Sequence, residues 1–251
     1  MRKIAIISDI HGNLPALEAV LLDIEKSYRT DEIYCLGDLV DYAPWNNEVI
    51  ALLQTKKIPT ILGNHDERIG TNGATIPLAK HSATETAARI AAIEYSKKHT
   101  TDVNKAYLRE LPKQMVLHTA AGDILLVHGS PLNNREYIFE NHPEEKLLNW
   151  FKEYNVNMIC AGHTHYSFVR KMSIDQQELL FINTGSVGRS RENIGAKAVY
   201  LQLTIDEEHK IYQPNLKKID YNVLETIQNI EESEVPCFYA SFLRKQLLSR
   251  Q

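Results

Sequence analysis

The sequence contains few cysteines, and they show no pattern that would build a site. Only Cys35, Cys160 and Cys237 are present, an odd number with wide spacing and no CxxC pair. Neither a disulfide framework nor a thiolate zinc cluster fits this pattern. We therefore expect reduced thiols in the cytoplasm.

The chain also lacks a long hydrophobic run and an excess of basic residues. The apolar stretch at the N terminus is interrupted at Ser8 and Asp9, too early for a signal peptide or a membrane span. The formal net charge is -4 and the pI is about 6.2, and binding of long nucleic acid needs clustered positive charge. We therefore expect a cytoplasmic protein that binds neither membranes nor long nucleic acid.

What is present is ordinary globular composition, with 43% hydrophobic and 24% charged residues. A chain of 251 residues can bury a generous core. We find no internal repeat, low-complexity segment or linker. We therefore predict one domain over residues 1–251.

Strand and helix patterns alternate in the first part of the chain. Lys3 to Ile7 is typical of a buried strand, and Asn13 is placed to cap a following helix. "EIYCLGD" and "IPTIL" are predicted as further strands separated by the helical "NNEVIALLQ". This alternation predicts parallel strands with helices packed outside.

The pattern changes further along the chain. Residues from about 67 to 112 are helical in character and form a predicted insertion, either a lid over the site or a dimer interface. The second half is predicted to be more antiparallel, with a hairpin around Ala121 and Gly122. A helical tail is expected from about 220 to 251.

Five predicted strand ends carry polar side chains next to glycine. Loops at one edge of a sheet converge, and ligands bind at that edge in open α/β folds. We therefore expect these tips to form one site. The ligand-capable residues are Asp9, His11, Asp38, Asn64, His65, His128, His163 and His165.

Imidazole, carboxylate and amide donors suit borderline divalent ions such as Mn, Fe, Zn, Ni or Co. One zinc ion needs only three or four ligands, so the number of donors favours two ions, with Asp38 as the natural bridge between them. Side chains two apart on an extended segment point the same way, which predicts paired ligands at Asp9 with His11 and at His163 with His165. Neighbouring glycines allow close approach of the backbone.

Together these blocks resemble the signature of the calcineurin-like metallophosphoesterases. The blocks are D-x-H, G-D, G-N-H-D, H-G and G-H-x-H in that order, and the likeness covers residues 3 to 205. The resemblance implies an α/β fold: a four-layer αββα sandwich of two mixed sheets flanked by helices. It also implies a two-metal centre and hydrolysis of phosphoesters by a metal-bridging hydroxide.

The resemblance further implies a role for each residue. One ion is held by Asp9, His11, Asp38 and His165, and the other by Asp38, Asn64, His128 and His163. His65 faces the substrate and assists the leaving oxygen. Asp66 is expected to orient or charge His65. The remaining histidines, at positions 81, 99, 118, 142 and 209, are expected to be structural.

The leading function is hydrolysis of a small phosphodiester, a nucleotide or a dinucleoside polyphosphate. Alternatives are a phosphomonoesterase or protein phosphatase, a non-catalytic metal-binding regulatory protein, and a two-metal amidohydrolase. The oligomeric state is open, with a homodimer as one alternative.

Two further segments have two interpretations each. In "NTGSVGRSREN", Arg189 or Arg191 either contacts a second phosphate or carboxylate, or lies on a solvated loop. Relatives often have proline where this chain has Thr184. Tyr42 and Trp45 either stack on a base or pack at the base of their loop.

Overall fold

The protein is described by a computed structural model that covers residues 1–30, 32–75 and 82–248. Within these residues the strands are β1 Arg2–Ile7, β2 Ile33–Cys35, β3 Gln114–Leu117, β4 Ile124–Val127, β5 Met158–Ala161, β6 Ser167–Ile174, β7 Gln177–Thr184, β8 Ala198–Asp206 and β9 Ile211–Ile219. The helices are α1 Leu14–Asp23, α2 Asn46–Thr55, α3 Asn64–Gly70, α4 Ala83–His99, α5 Asp102–Glu110, α6 Glu144–Tyr154, α7 Val223–Glu232 and α8 Phe238–Leu248. A π-helical turn, Ile24–Tyr28, extends α1.

The strands form two mixed sheets. The first has the order β2-β1-β8-β9, in which β1 is parallel to β2 and antiparallel to β8. The second has the order β3-β4-β5-β7-β6, with parallel pairing from β4 through β5 to β7. The antiparallel β3–β4 hairpin confirms the turn predicted near Gly122.

Strand β1 shows how one segment serves two hydrophobic layers. Ile4 and Ile6 point between the sheets, where they pack with residues such as Leu126 of the second sheet. Ala5 and Ile7 point the other way and belong to the cluster that includes residues of α1 and α2. Because side chains alternate along a strand, an unbroken apolar run is what a strand buried on both faces requires.

The second sheet is covered on its outer face by α6. Leu147, Trp150 and Phe151 of that helix pack against strand residues that include Phe181. The predicted four-layer sandwich of two mixed sheets flanked by helices is therefore confirmed. The capping of α1 is also confirmed, since the Asn13 side chain accepts a hydrogen bond from the Ala16 amide at 3.3 Å.

The segment "IPTIL" differs from its prediction as a strand. Only Thr60 forms a bridge, to Cys35 at the end of β2. The Ile61 amide donates to the Cys35 carbonyl, whereas the Leu62 amide donates to the Pro112 carbonyl. The segment is therefore limited to a single parallel bridge with β2.

The predicted insertion contains α4 and α5, and the tail contains α7 and α8, so the helical character of both stretches is confirmed. His81 lies outside the described residues. Whether the insertion is a lid or an interface, and whether the chain is one domain, stay predictions. Within the described ranges, no helix has the length and hydropathy needed to cross a membrane.

Candidate metal centre

The predicted ligands come together at one edge of the two sheets. Asp9 and His11 follow β1, Asp38 follows β2, and His128 follows β4. The other members are Asn64 and His65 in the first turn of α3, and His163 and His165 after β5. All eight side chains are buried. The structure thus assembles the whole predicted set.

One part of the centre, the Asp9 cluster, consists of Asp9, His11 and His165. Their ligand atoms lie within 4.8 Å of one another. The His165 Nε2 atom is 3.0 Å from His11 Nε2 and 3.2 Å from Asp9 Oδ1. Three potential donors therefore face one small volume.

Backbone carbonyls fix the tautomers of both histidines in the Asp9 cluster. The His11 Nδ1 atom is 3.1 Å from the Val40 carbonyl, and His165 Nδ1 is 2.7 Å from the Arg189 carbonyl. A carbonyl can only accept, so each Nδ1 carries the proton. Burial lowers the pKa of His11 and of His165, which keeps both rings neutral and leaves Nε2 with a bare lone pair.

The carboxylate of Asp9 completes this arrangement. Its Oδ1 atom is buried and has no hydrogen-bond partner within the described part of the chain. Burial acts to raise the pKa of this carboxyl, but the surrounding imidazoles outweigh burial and the pKa lies below its usual range, so Asp9 is ionised. Two lone pairs and a negative oxygen face each other with no proton between them, and a cation fits such a site.

The other part, the Asp38 cluster, consists of Asp38, His128 and His163, with Asn64 beside them. The His128 Nδ1 atom is 2.8 Å from the Leu36 carbonyl, and its Nε2 atom is 3.1 Å from Asn64 Oδ1 and 3.3 Å from Asp38 Oδ2. Burial acts to lower the pKa of His128, but the negative charge of Asp38 outweighs burial and raises the pKa to about 9. Without a metal ion, His128 is therefore protonated at neutral pH.

His163 is held through its other ring nitrogen. Its Nε2 atom lies 3.2 Å from the Arg135 carbonyl, so Nδ1 is the nitrogen left with a lone pair. Burial, with the nearby positive His128, lowers the pKa of His163 to about 3. His163 is therefore a neutral donor.

Asp38 lies between the two clusters. Its Oδ2 atom is 3.3 Å from His128 Nε2 and 3.8 Å from His11 Nε2. Its Oδ1 atom accepts a hydrogen bond from the His65 amide at 2.8 Å. One oxygen is thereby oriented by the backbone while the other faces both groups of ligands.

The loops reach this geometry through left-handed backbone and not through the extended segments that we predicted. Positive φ angles of 54°, 53°, 55°, 66° and 63° occur at Asp9, His11, Asp38, His163 and His165. Asp9 and His11 do lie in one cluster, as predicted, but left-handed backbone brings them together. The prediction that His163 and His165 form a pair is wrong, because they lie in different clusters. Such conformations cost about 1–3 kcal/mol each and concentrate at functional sites.

Two glycines are required by close approach to the carboxylates. A β-carbon on Gly63 would collide with Asp38, and one on Gly162 would collide with Ser8 and with the Asp9 carboxylate. Glycine at these two positions therefore lets the loops pack directly against the two carboxylates.

The structure corrects the partner predicted for His65. Its Nδ1 atom is 2.7 Å from Asp41 Oδ2, whereas Asp66 faces away from the ring. The Asp66 carboxylate accepts the backbone amides of Asp38, Leu39 and Gly63 at 2.7, 2.8 and 3.1 Å. As the third residue of α3, Asp66 reaches back to the start of its helix, a capping geometry, so its role is to hold the Asp38 loop.

Two residues that the sequence analysis did not assign to the site adjoin His65. Asp41 stands three positions after Asp38 in the same tip, and that position is the one signal that would have indicated it. The Arg68 guanidinium lies 3.3 Å from His65 Nδ1. Tyr42 packs its ring at 4.5 Å from the His11 ring and 5.1 Å from the His65 ring, measured between centroids.

The loop after β7 supports the Asp9 cluster. The Ser186 hydroxyl donates to the Asp9 carbonyl at 2.8 Å, and the Gly188 amide donates to the same carbonyl at 3.0 Å. Its role in this structure is therefore to hold the ligand backbone. The histidines at 118 and 209 are exposed, and their Nδ1 atoms lie 3.0 and 2.9 Å from the carboxylates of Asp123 and Asp206, away from the centre.

Comparison with known proteins identifies the family. A sequence model described as calcineurin-like phosphoesterase matches residues 2–167. The chain belongs to this family. It is a metallophosphoesterase, a hydrolase of phosphoric esters, whose members typically bind divalent metal ions.

Similarity extends beyond the matched region. Protein MJ0912 of Methanocaldococcus jannaschii is 29% identical over 246 residues, 93% of each chain. A metallophosphoesterase from Sphaerobacter thermophilus superposes with a TM-score of 0.76 at 26% identity, over 97% of this chain and 99% of the other. Protein PH1004 of Pyrococcus horikoshii OT3 has the same fold, with a TM-score of 0.79 at 21% identity over 97% and 98% of the two chains.

Proposed function

We propose that this metallophosphoesterase works with two divalent ions and hydrolyses a small phosphodiester, a nucleotide or a dinucleoside polyphosphate. The observation that carries the proposal is the position of Asp38 Oδ2, which faces His11 on one side and His128 on the other. Two separate sets of donors that share one carboxylate fit a pair of neighbouring cations.

The residues fit the ions as follows. Asp9, His11 and His165 with Asp38 would hold one ion, and Asp38 with Asn64, His128 and His163 would hold the other. The donors are imidazole, carboxylate and amide, which suit Mn, Fe, Zn, Ni or Co. When bound, such a pair supplies Lewis acidity that attracts phosphate oxygens and makes water a better nucleophile at neutral pH.

His65 is the proposed proton donor to the leaving oxygen. A ring nitrogen of His65 lies within 4.8 Å of the ligand atoms of His11 and Asp38, so the ring borders the reaction volume. Asp41 accepts the Nδ1 proton, which fixes the ring orientation and leaves Nε2 for exchange with the substrate. Proton transfer of this kind contributes about 10²–10⁴ in rate.

A small substrate and a cytoplasmic location stay proposals that rest on composition. The formal net charge of -4 disfavours a long polyanion. A purely regulatory metal site does not require the buried His65–Asp41 pair, which supports a catalytic role. A homodimer stays a prediction.

The test is metal-dependent turnover of a simple diester. The purified protein is stripped with a chelator, reloaded separately with each of the five metals, and assayed with bis(p-nitrophenyl) phosphate and p-nitrophenyl phosphate. We expect turnover to return with at least one metal and two ions to be bound per chain. Absence of turnover on a full panel of phosphoesters, or a stoichiometry of one, would overturn the proposal.

A further inference from the structure

A cleft of about 360 Å³ lies beside the metal centre, within the range of about 300–1,000 Å³ that is typical of small-molecule sites. Its lining includes three arginines, Arg89, Arg189 and Arg191, and the rings of Tyr166, Phe238 and Phe242. We call it the arginine pocket. Glu85 is the one carboxylate on this lining, so three guanidinium groups against one carboxylate give the pocket net positive charge. Glu85 also accepts a hydrogen bond from the Ser82 amide as part of the cap of α4.

Arg189 is held among aromatic rings and not by a carboxylate. Its guanidinium carbon lies 4.3 Å from the Tyr42 ring centroid and 4.7 Å from that of Phe242. Its Nε atom is buried and has no hydrogen-bond partner among residues 1–30, 32–75 and 82–248. Stacking orients the planar guanidinium and leaves its N–H groups available to an anion.

Arg191 is fixed by its backbone and has no ion pair in the described chain. Its amide donates to the His165 carbonyl at 3.1 Å, whereas its side chain lines the pocket. Arg189 and Arg191 thus both line the same cleft. Arginine clusters of this kind bind phosphate through paired, charge-assisted hydrogen bonds.

The arginine pocket adjoins the metal centre through Tyr42. The ring of Tyr42 contacts Arg189 on one side and packs 4.5 Å from the His11 ring on the other. Tyr239 of α8 packs 4.5 Å from Tyr42. The wall formed by Phe238 and Phe242 also belongs to α8, which lies beyond the region matched by the family model.

We propose that the arginine pocket binds a second phosphate of the substrate, linked to the phosphoryl group at the metal centre, with the aromatic wall against an attached ring. The inference rests on the proposed function and names its substrate class: molecules with a chain of phosphates and a planar group. A simple monoester or diester fills only the metal centre and gains nothing from Arg189 and Arg191.

The experiment compares kcat/KM for bis(p-nitrophenyl) phosphate with kcat/KM for diadenosine di-, tri- and tetraphosphate, using the metal-loaded protein. We expect the ratio to favour the phosphate chains over the simple diester. Arg191→Gln and Arg189→Gln should each reduce this preference about 10- to 100-fold, mainly through KM, because each removes a charged hydrogen bond. Arg244→Gln is the matched control, since Arg244 also carries one charge but pairs with Glu231 on the surface of α7 and α8.

Each outcome decides one of the two proposals. Turnover of the simple diester without any preference for phosphate chains would overturn the arginine pocket and leave the proposed function standing. A preference that survives in the Arg189→Gln and Arg191→Gln variants would also overturn it. The Arg189 carbonyl accepts a hydrogen bond from His165, so metal content is measured in both variants. If the Arg189→Gln variant loses an ion, the Arg191→Gln variant alone is used to judge the proposal.

Discussion

The two clusters of the metal centre are built from similar side chains but differ in their protons. In the Asp9 cluster, His11 and His165 are neutral and their Nε2 atoms face each other at 3.0 Å. In the Asp38 cluster, His128 has a pKa of about 9 and shares a proton with Asp38 and Asn64 when no metal is bound. The Asp9 cluster therefore offers unprotonated nitrogen atoms to a cation, whereas the Asp38 cluster carries a proton on His128 that a cation would replace.

This difference follows from which neighbours outweigh burial. All four histidines are buried, and burial acts to lower each pKa. His165 is as close to a carboxylate as His128 is, at 3.2 Å from Asp9 against 3.3 Å from Asp38. At His165 the positive charges of Arg191 and Arg189 act in the same direction as burial, whereas at His128 the charge of Asp38 outweighs burial and the pKa rises. The two proposed ions should therefore bind with different dependence on pH, which variants of the protein can test.

The largest effect is expected when the shared oxygen is changed. Asp38→Asn removes the charge that faces both clusters, so we expect metal content below about one ion per chain and turnover reduced by more than about 10³-fold. Metal analysis after gel filtration checks the result. Asp175→Asn, on an exposed turn, is the control. Two ions retained in Asp38→Asn would show that this carboxylate is not the bridge.

Removing a ligand of one cluster should cost one ion. His165→Ala is expected to lose the ion of the Asp9 cluster, and His163→Ala the ion of the Asp38 cluster, each with turnover reduced about 10²-fold or more. Isothermal titration calorimetry with Mn²⁺ gives the number of ions bound per chain in each variant. Loss of both ions from either single variant would mean that the clusters do not bind independently.

His65→Asn should separate proton transfer from metal binding. We expect two ions to be retained and turnover to fall about 10²–10⁴-fold, because the proposed donor to the leaving oxygen is gone. A substrate whose leaving group needs no proton, such as a p-nitrophenyl ester, should be less affected than an alkyl ester. If metal content drops instead, His65 is a ligand and not a proton donor.

Asp41→Asn should have a smaller effect of the same kind. An amide in place of the carboxylate weakens the hold on His65 Nδ1, and we expect turnover to fall about 10- to 100-fold with metal content unchanged. Asp66→Asn is the informative comparison, because Asp66 caps backbone amides and should alter the melting temperature more than the pH profile of turnover. A larger catalytic loss in Asp66→Asn than in Asp41→Asn would contradict the assignment.

The smallest effect is the release of one proton. Below pH 9 His128 is protonated in the metal-free protein, so an ion entering the Asp38 cluster must displace that proton, and its apparent affinity should rise about tenfold per pH unit up to about pH 9. The Asp9 cluster should release none. Calorimetry at pH 7.5 in two buffers of different ionisation enthalpy measures the number. Zero protons for both ions would contradict the protonation of His128.

Much of the centre was accessible from the sequence because polar residues after apolar strands mark one edge of a sheet. The order of the strands and the glycine-flanked tips were sufficient to predict that Asp9, His128 and His165 lie in one site. Their detailed conformation was not accessible, because left-handed backbone at Asp9 and His11 depends on tertiary contacts.

The predictions were wrong where the partner of a residue depends on the direction in which groups point in the fold. Asp66 follows His65 directly, yet helical geometry turns it back onto the Asp38 loop, and Asp41 from a different segment reaches the ring. The "IPTIL" segment has strand-like composition, but it pairs with β2 through one bridge only. Local sequence does not encode such pairings.

The use of main-chain carbonyls to orient all four imidazoles has a consequence for how this protein can change. Substitution at 36, 40, 135 or 189 leaves the carbonyl that accepts the ring N–H in place. The histidine tautomers therefore persist under any side-chain change at these positions that leaves the path of the backbone unaltered. The orientation of the rings depends on the position of the backbone more than on the side chains at 36, 40, 135 and 189. Insertions or deletions near these residues should therefore reduce metal binding more than point substitutions do.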